Sequence, residues 1–382
     1  MNRKPAGAQP QRVKPQHEKA QGEPSNGAQP HRADSYPDPV DWLPLFRQRA
    51  ADLGFINAGI TPAVDSAGFT ELVKWIESGY AAGMQYFADR LDAYRNADGV
   101  MAGTKSIIVL AYPYPADADA AAADGLGSVA RYVWPGADYH DTIHAKLKQL
   151  KRLVAELAPT VSTRGCIDTA PLMERELAQL AGLGWRGKNT LLLHRQHGSY
   201  FFLACFLVDV ELPYDAPHHT SHCGTCTACL DACPTDAFPA PGVLDASRCI
   251  SYLTIEHRGA IPMELREGIG SWVFGCDVCQ EVCPWNRKPA RRSETPAEQR
   301  VLDRIDLQSL FEIDEDTFRA RYRKSPFWRT RLRGMRRNAA IVLGNQGNPD
   351  ALPALKRGAD DEDEVVAEAC RWAIEKIRQP HP

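Results

Sequence analysis

The stretch CGTCTACLDACPTDA, from Cys223 to Ala237, constrains the fold of this chain more than any other. Its spacing, C-x2-C-x2-C-x3-C-P, is that of a site for a four-iron, four-sulfur cluster. A second run follows, Cys276-x2-Cys279-x3-Cys283-Pro284, with Val273 where a further cysteine would stand. Cys249, in SRCISYL, supplies the missing thiolate, so eight cysteines serve two [4Fe-4S] clusters. In two-cluster ferredoxins the last cysteine of each run ligates the other cluster. On that logic Cys223, Cys226, Cys229 and Cys283 hold one cluster and Cys233, Cys249, Cys276 and Cys279 the second, side by side. Zinc would favour paired C-x2-C rather than a triple run closed by C-P. The block 213–288 therefore reads as a ferredoxin-like domain whose cofactors are its core.

With 382 residues the chain has room for other domains. Residues 37–212 alternate between helical and extended patterns, which predicts an α/β (α+β) domain. Leu72, Trp75, Ile76 and Tyr80 fall at helical spacing within 69–87. KSIIVLAYPY (105–114) and SVARYVW (128–134) read as strands, ADYHDTIHAKLKQLKRLVAEL as a helix, and GCIDT, NTLLL and SYFFLACFLVDVEL as later extended segments. No G-x-G-x-x-G follows a strand and no P-loop is present, so a dinucleotide or nucleotide site is unsupported. The block 289–382 opens with a polar linker, ARRSETPAEQR, and continues as helix. Met335, Ala339 and Val342 form one apolar stripe there and Val366, Ala369, Ala373 and Ile377 another, the pattern of a short HEAT-like repeat.

Residues 1–36, rich in Pro, Gln, Gly and Lys, read as a disordered tail without the apolar centre of a secretory leader. No run approaches the roughly 18 apolar residues of a membrane span. Eleven cysteines, an odd number with all but Cys370 gathered in one third of the chain, do not resemble a secreted disulfide framework, so a cytoplasmic protein is expected. Cys166, Cys205 and Cys370 read as small buried hydrophobes. The net charge is −3, yet TFRARYRKSPFWRTRLRGMRRN (317–338) carries nine Arg or Lys and no acid. Its cations, Arg329, Arg331, Arg333, Arg336 and Arg337 among them, interleave with Phe318, Tyr322, Phe327 and Trp328. Cations can pair with phosphates and aromatics can stack on bases, the composition of a nucleic-acid face.

The order of CIDTAPLMERELAQLAGLGWRGKNTLLLHRQHGSYFFL, the two cysteine runs, RCISYLTIEHRG and FRARYRKSPFWRTRLRGMRRNAAIVLGNQGN resembles the epoxyqueuosine reductases from about Trp42 to the C-terminus. The resemblance implies reduction of epoxyqueuosine to queuosine at the wobble position of tRNA, by a cobalamin, base-off, that two clusters feed. It implies Asp168 as proton donor, with His140 beside it in the substrate pocket. Lys188, Asn189, Leu192, Leu203 and Ser251, with Asp168, match segments lining the corrinoid. Ala204 and Cys205 stand where the family often has Gly-Glu, and Ala130 where some members carry Cys, departures that bear on packing around the cofactor. Judged on its residues alone, Asp168 ahead of Pro171 and a helical run reads as a cap or turn residue. A small electron donor such as a flavodoxin or ferredoxin and a monomeric chain complete the expectation. A corrinoid reductase of small molecules, similar to reductive dehalogenases, and a non-enzymatic electron carrier or corrinoid-reactivating protein are the alternatives.

Overall fold

The computed structural model of the chain describes residues 41–116, 123–287 and 301–379. The tail 1–36 and the linker ARRSETPAEQR lie outside the described residues. The first half runs α1 (Leu43–Asp52), β1 (Asn57–Pro62), α2 (Phe69–Glu77), α3 (Tyr86–Asp89), β2 (Ser106–Pro113), β3 (Leu126–Val129), α4 (Tyr139–Leu157) and β4 (Thr163–Ile167). It continues through α5 (Glu174–Leu180), β5 (Trp185–Arg186), β6 (Leu192–Leu193) and β7 (Phe201–Val208). The cysteine-rich stretch holds α6 (Ala228–Asp231), α7 (Ile250–Ile255), α8 (Met263–Arg266), β8 (Trp272–Phe274), α9 (Val278–Glu281) and α10 (Pro284–Arg287). Then come β9 (Arg304–Asp306), α11 (Glu315–Tyr322), α12 (Arg331–Gln346), α13 (Leu352–Ala359) and α14 (Glu364–Arg378). Among the described residues no helix is long and apolar enough to cross a membrane.

The main sheet is antiparallel throughout, in the order β1-β2-β7-β4. Successive side chains of a strand point to opposite faces, so the unbroken apolar runs of β2 and β7 require cover on both. Ile108, Leu110, Ala204 and Phe206 pack with Phe46 of α1 and Ile143, Leu147 and Leu150 of α4. Ile107, Val109, Cys205 and Leu207 pack with Leu177 and Ala178 of α5. Cys166 and Cys205 face each other across β4 and β7 and, like Cys370, are buried free thiols.

Two local expectations need correction. The helix expected over 69–87 stops at Glu77, because Gly79 takes φ 75° and Ala82 φ 49°, left-handed values that no α-helix continues. The strand expected over 128–134 ends at Val129, and Arg131–Val133 form a 3-10 turn instead.

Strand β3 also pairs outside the main sheet. It lies parallel to β8 and antiparallel to β9, so one three-stranded sheet takes a strand from each of the three sequence blocks. A single core surrounds it, shared by Val129, Leu253, Phe274, Met335, Val342 and Val366. The described residues accordingly all belong to one compact unit. Asn338, fully buried, ties α12 to this sheet by donating to the carbonyls of Thr254 at 2.8 Å and Val273 at 2.9 Å. Both expected apolar stripes face inward, and α14 packs on α12 and α13. Gly344 permits the close approach, since a Cβ there would lie 3.0 Å from the Ala373 backbone.

Candidate active site

Asp168 follows the last residue of β4, and His140 sits in the first turn of α4, whose N-cap is Asp138. Asp138 accepts from the His140 backbone N–H at 3.0 Å and also meets His140 Nδ1 at 2.8 Å. The other ring nitrogen, Nε2, lies 2.5 Å from Asp168 Oδ1. Tyr139 donates its hydroxyl to Asp168 Oδ2. From the C-terminal region Arg329 donates to Tyr139 Oη at 3.1 Å, lies 3.7 Å from Asp138 and meets both His140 ring nitrogens, Nε2 at 3.2 Å. Asp168 is thus bound on both oxygens, yet its side chain stays 44 % exposed where it faces a cavity. It caps no helix, because α5 begins at Glu174 without a side-chain cap.

The charges of this group follow from its contacts. Burial alone would lower the His140 pKa, but the hydrogen bonds to Asp138 and Asp168 outweigh it and raise it to about 9. Burial opposes ionisation of Asp168 too, and is overcome by His140, Tyr139 and Arg329, which hold its carboxyl below the ordinary range. At neutral pH the pair is an imidazolium against a carboxylate, with one proton held between Nε2 and Oδ1. Burial, together with the Asp168 charge, pushes the Tyr139 phenol far up, so it remains a hydrogen-bond donor.

The cavity has a volume of about 1350 Å³. Leu192 and Leu203 line it, together with Tyr114, Ser199 and Phe202. Lys188 and Asn189, expected on the corrinoid, instead reach the cysteine loops. Lys188 Nζ donates to the carbonyls of Gly224 at 2.8 Å and Cys226 at 2.9 Å, and Asn189 Nδ2 to that of Cys279 at 3.3 Å. Ser251 stands on α7 beside Cys249 and outside the cavity wall.

All eight motif cysteines are free thiols. Burial raises the Cys229 thiol, and its neighbours Cys283, Cys223 and Cys226 raise it further. Burial likewise lifts Cys279 well up, with Cys249 and Cys233 adding to it, while Cys276 neighbours Cys279 and Cys249. Cys226 is exposed, Cys233, Cys249, Cys276 and Cys279 are half-buried, and Cys283 is buried. Gln280, next to Cys279, donates to Tyr114 Oη at 3.2 Å and to the Ser199 carbonyl at 3.2 Å, both on the cavity wall. Arg131, buried, clamps the same loop through Asp277 at 3.1 Å and Glu281 at 2.7 Å.

The basic stripe is only partly a surface. Arg337 is 1 % exposed and donates to the carbonyls of Leu253, His257 and Gly259, so it holds α12 to the core and is corrected from a phosphate contact to a structural residue. Arg336 pairs with Asp361 at 2.8 Å and Arg333 with Asp363, while Arg329 belongs to the Asp168 group. Arg331 remains exposed, stacked 3.6 Å over Trp328. Arg321, Arg323 and Lys324 are exposed as well. The Lys324 carbonyl accepts from Asp138 N–H at 2.8 Å, which sets this segment beside the His140 turn. Reading the sequence missed Tyr139, Asp138 and the inward role of Arg329. The D-x-H spacing of an N-cap signalled Asp138, but nothing local signalled the others.

Two family models match the chain: a 4Fe-4S double cluster binding domain over residues 222–286, and "Epoxyqueuosine reductase QueG, DUF1730" over 95–169. The chain is 42 % identical to an epoxyqueuosine reductase of Pseudomonas aeruginosa over 351 residues, 90 % of this chain and 96 % of that one. It is 37 % identical to that of Escherichia coli, covering 88 % and 90 %. Among solved structures it is similar to an epoxyqueuosine reductase bound to an epoxyqueuosine-modified tRNA stem loop, at 30 % identity and TM-score 0.80, covering 88 % and 90 %. It is also similar to the Bacillus subtilis enzyme with its aspartate-bearing catalytic loop swung out of the active site, at 30 % identity and TM-score 0.81, covering 88 % and 91 %.

Because two carboxylates stabilise the imidazolium, the His140 ring should titrate near 9 by histidine NMR. In Asp168→Asn one partner is lost and the midpoint should fall. A raised folded pKa stabilises the fold below the unfolded value of about 6.5, and that stabilisation should vanish as pH rises through about 9. An unchanged midpoint in the variant would contradict the pairing.

Proposed function

The chain belongs to the epoxyqueuosine reductase family, and from that premise we propose that it reduces epoxyqueuosine in tRNA to queuosine, with Asp168 delivering a proton to the epoxide oxygen. The observation that carries this reading is a carboxylate sharing a proton with His140 while facing a cavity that abuts a cysteine cluster loop. Cys223, Cys226, Cys229 and Cys283 would hold the outer [4Fe-4S] cluster and Cys233, Cys249, Cys276 and Cys279 the inner one. Electrons would enter near exposed Cys226 and pass inward, supplied by a small donor of the flavodoxin or ferredoxin class.

A cobalamin fits the cavity in size and wall chemistry. About 1350 Å³ exceeds the roughly 300–1000 Å³ of ordinary small-molecule sites. Leu192, Leu203 and Phe202 would bear on the macrocycle, and polar groups gather at Asp168. When bound, the corrinoid supplies the low-potential electrons that open the epoxide. The chain's own residues orient and protonate. Tyr139 and Arg329 fix the Asp168 carboxyl, His140 holds the proton at Nε2, and transfer through Oδ1 neutralises the leaving oxygen as charge develops on it.

The tRNA would lie along exposed Arg321, Arg323, Lys324 and Arg331 beside this mouth. The packing of α14 on α12 and α13 supports a HEAT-like reading of the helical end. A tRNA substrate supports a cytoplasmic site of action, and the chain is proposed to act as a monomer.

Asp168→Asn keeps the shape but removes the transferable proton, so turnover of epoxyqueuosine-containing tRNA should fall about 10²-fold or more, with iron and corrinoid loads unchanged. Turnover at the wild-type rate would remove Asp168 from the chemistry. Replacing Arg321, Arg323 and Lys324 by Ala should lower the slope of log affinity against log salt by about 2 to 3 for a tRNA stem loop. An unaltered slope would move the tRNA elsewhere.

A further inference from the structure

Removing the epoxide oxygen has a fixed balance. Epoxyqueuosine exceeds queuosine by one oxygen, so its reduction takes two electrons and two protons and releases water. Both carbon–oxygen bonds break. One proton makes the hydroxyl of the opened epoxide, and a second turns that hydroxyl into departing water. The pair of Asp168 and His140 shares one proton at neutral pH, which leaves one to be found.

Glu174, in the first turn of α5, lines the same cavity as Asp168. Its Oε1 is buried and has no hydrogen-bond partner among the described residues. Two residues on, Glu176 is fully engaged, accepting from the backbone N–H groups of Ala67 and Gly68. Arg175, next in the chain, turns away and donates to the Thr190 carbonyl at 2.8 Å. For a carboxyl that is buried, without hydrogen-bond donors and close to the anionic Asp168, these costs outweigh what the nearby Arg175 and His140 offer its charge.

We propose that Glu174 is the second proton source of the reduction, a neutral carboxylic acid at physiological pH that supplies the proton leaving with water. The proposal rests on the epoxide-reduction reading above. The titratable groups around Glu174 are consistent with a neutral acid. Tyr94, Cys166 and Cys205 are buried, uncharged neighbours at pH 7, and Asp168 repels a second anion. Arg175 and His140 oppose this, but burial first and Asp168 second prevail and push the Glu174 pKa up to about 8. Glu174 therefore holds its proton at pH 7 and releases it above about 8, whereas Asp168 is already ionised.

The test compares wild type, Glu174→Gln and Glu174→Asp. Infrared spectra of the purified protein, which need no turnover, should show a protonated carboxyl band at pH 7 that titrates near 8. The band should be missing in Glu174→Gln. Turnover of epoxyqueuosine tRNA should fall about 10²-fold in Glu174→Gln, at wild-type iron and corrinoid content, and be partly restored in Glu174→Asp, which keeps a proton to give. Wild-type turnover should decline above about pH 8 as the acid ionises. No band at pH 7 in the wild type, a band that persists in Glu174→Gln, or full turnover by Glu174→Gln would each overturn the proposal. Should Glu174→Gln fail to load iron, the wild-type band and alkaline decline decide it, and absence of either sinks it. Failure of the wild type to turn over at all would instead strike the epoxide-reduction reading and leave the infrared result standing.

Discussion

On the proposed ligation the two cysteine runs cannot complete their clusters separately, and that requirement matches the rest of the structure. Cys283 would leave its own run to join Cys223, Cys226 and Cys229, so the chain would have to fold back between the runs. The return path carries α7, α8 and β8, and β8 then pairs with β3 from the first block. This pairing pulls the cysteine-rich stretch against the main sheet, and β9 adds the C-terminal helices on the other edge of β3. Arg131, one turn past β3, closes the arrangement with a buried ion pair to Asp277, between Cys276 and Cys279. A buried charge is tolerable only when paired, so each side holds the other in place.

That convergence also builds the candidate site from three distant segments. Asp168 comes from the end of β4, His140 and Tyr139 from the start of α4, and Arg329 from beyond α11. Each supplies what the others lack. Asp168 and Asp138 stabilise the imidazolium, the imidazolium keeps Asp168 ionised, and Arg329 holds Tyr139 as it donates. The outcome is a proton poised at a cavity wall, with the cysteine loops behind the opposite hydrogen bonds of Gln280. Glu174 differs because no hydrogen-bond donor meets its buried Oε1, and burial pushes its pKa up to about 8.

Much of this was legible in the sequence where spacing alone carries the chemistry. The cysteine runs name their cofactor because cluster geometry dictates x2 and x3 intervals, and the apolar runs at 106–111 and 201–208 read as strands because both faces are covered. Asp168 was found through the resemblance, while its local setting beside Pro171 pointed to a cap. What failed was information held in tertiary contacts. Ala82 at positive φ breaks a helix that its side chains favour, and Arg131 follows β3 as a turn because Asp277 captures its backbone N–H. Arg329 and Arg337 look like their neighbours in an arginine-rich run, yet one enters the Asp168 group and the other is buried among carbonyls. Lys188 and Asn189 bind cluster loops because the turn carrying them crosses both cysteine runs.

The central claim is that electrons from the cysteine-bound clusters reach a corrinoid in the cavity faced by Asp168. Electron paramagnetic resonance of the anaerobic, iron-loaded protein with one equivalent of cob(II)alamin tests it most directly. Stoichiometric binding with a base-off spectrum is the result expected if the cavity of about 1350 Å³ holds the corrinoid as proposed. A base-on spectrum identical to free cob(II)alamin, with all of it lost on gel filtration, would contradict the claim.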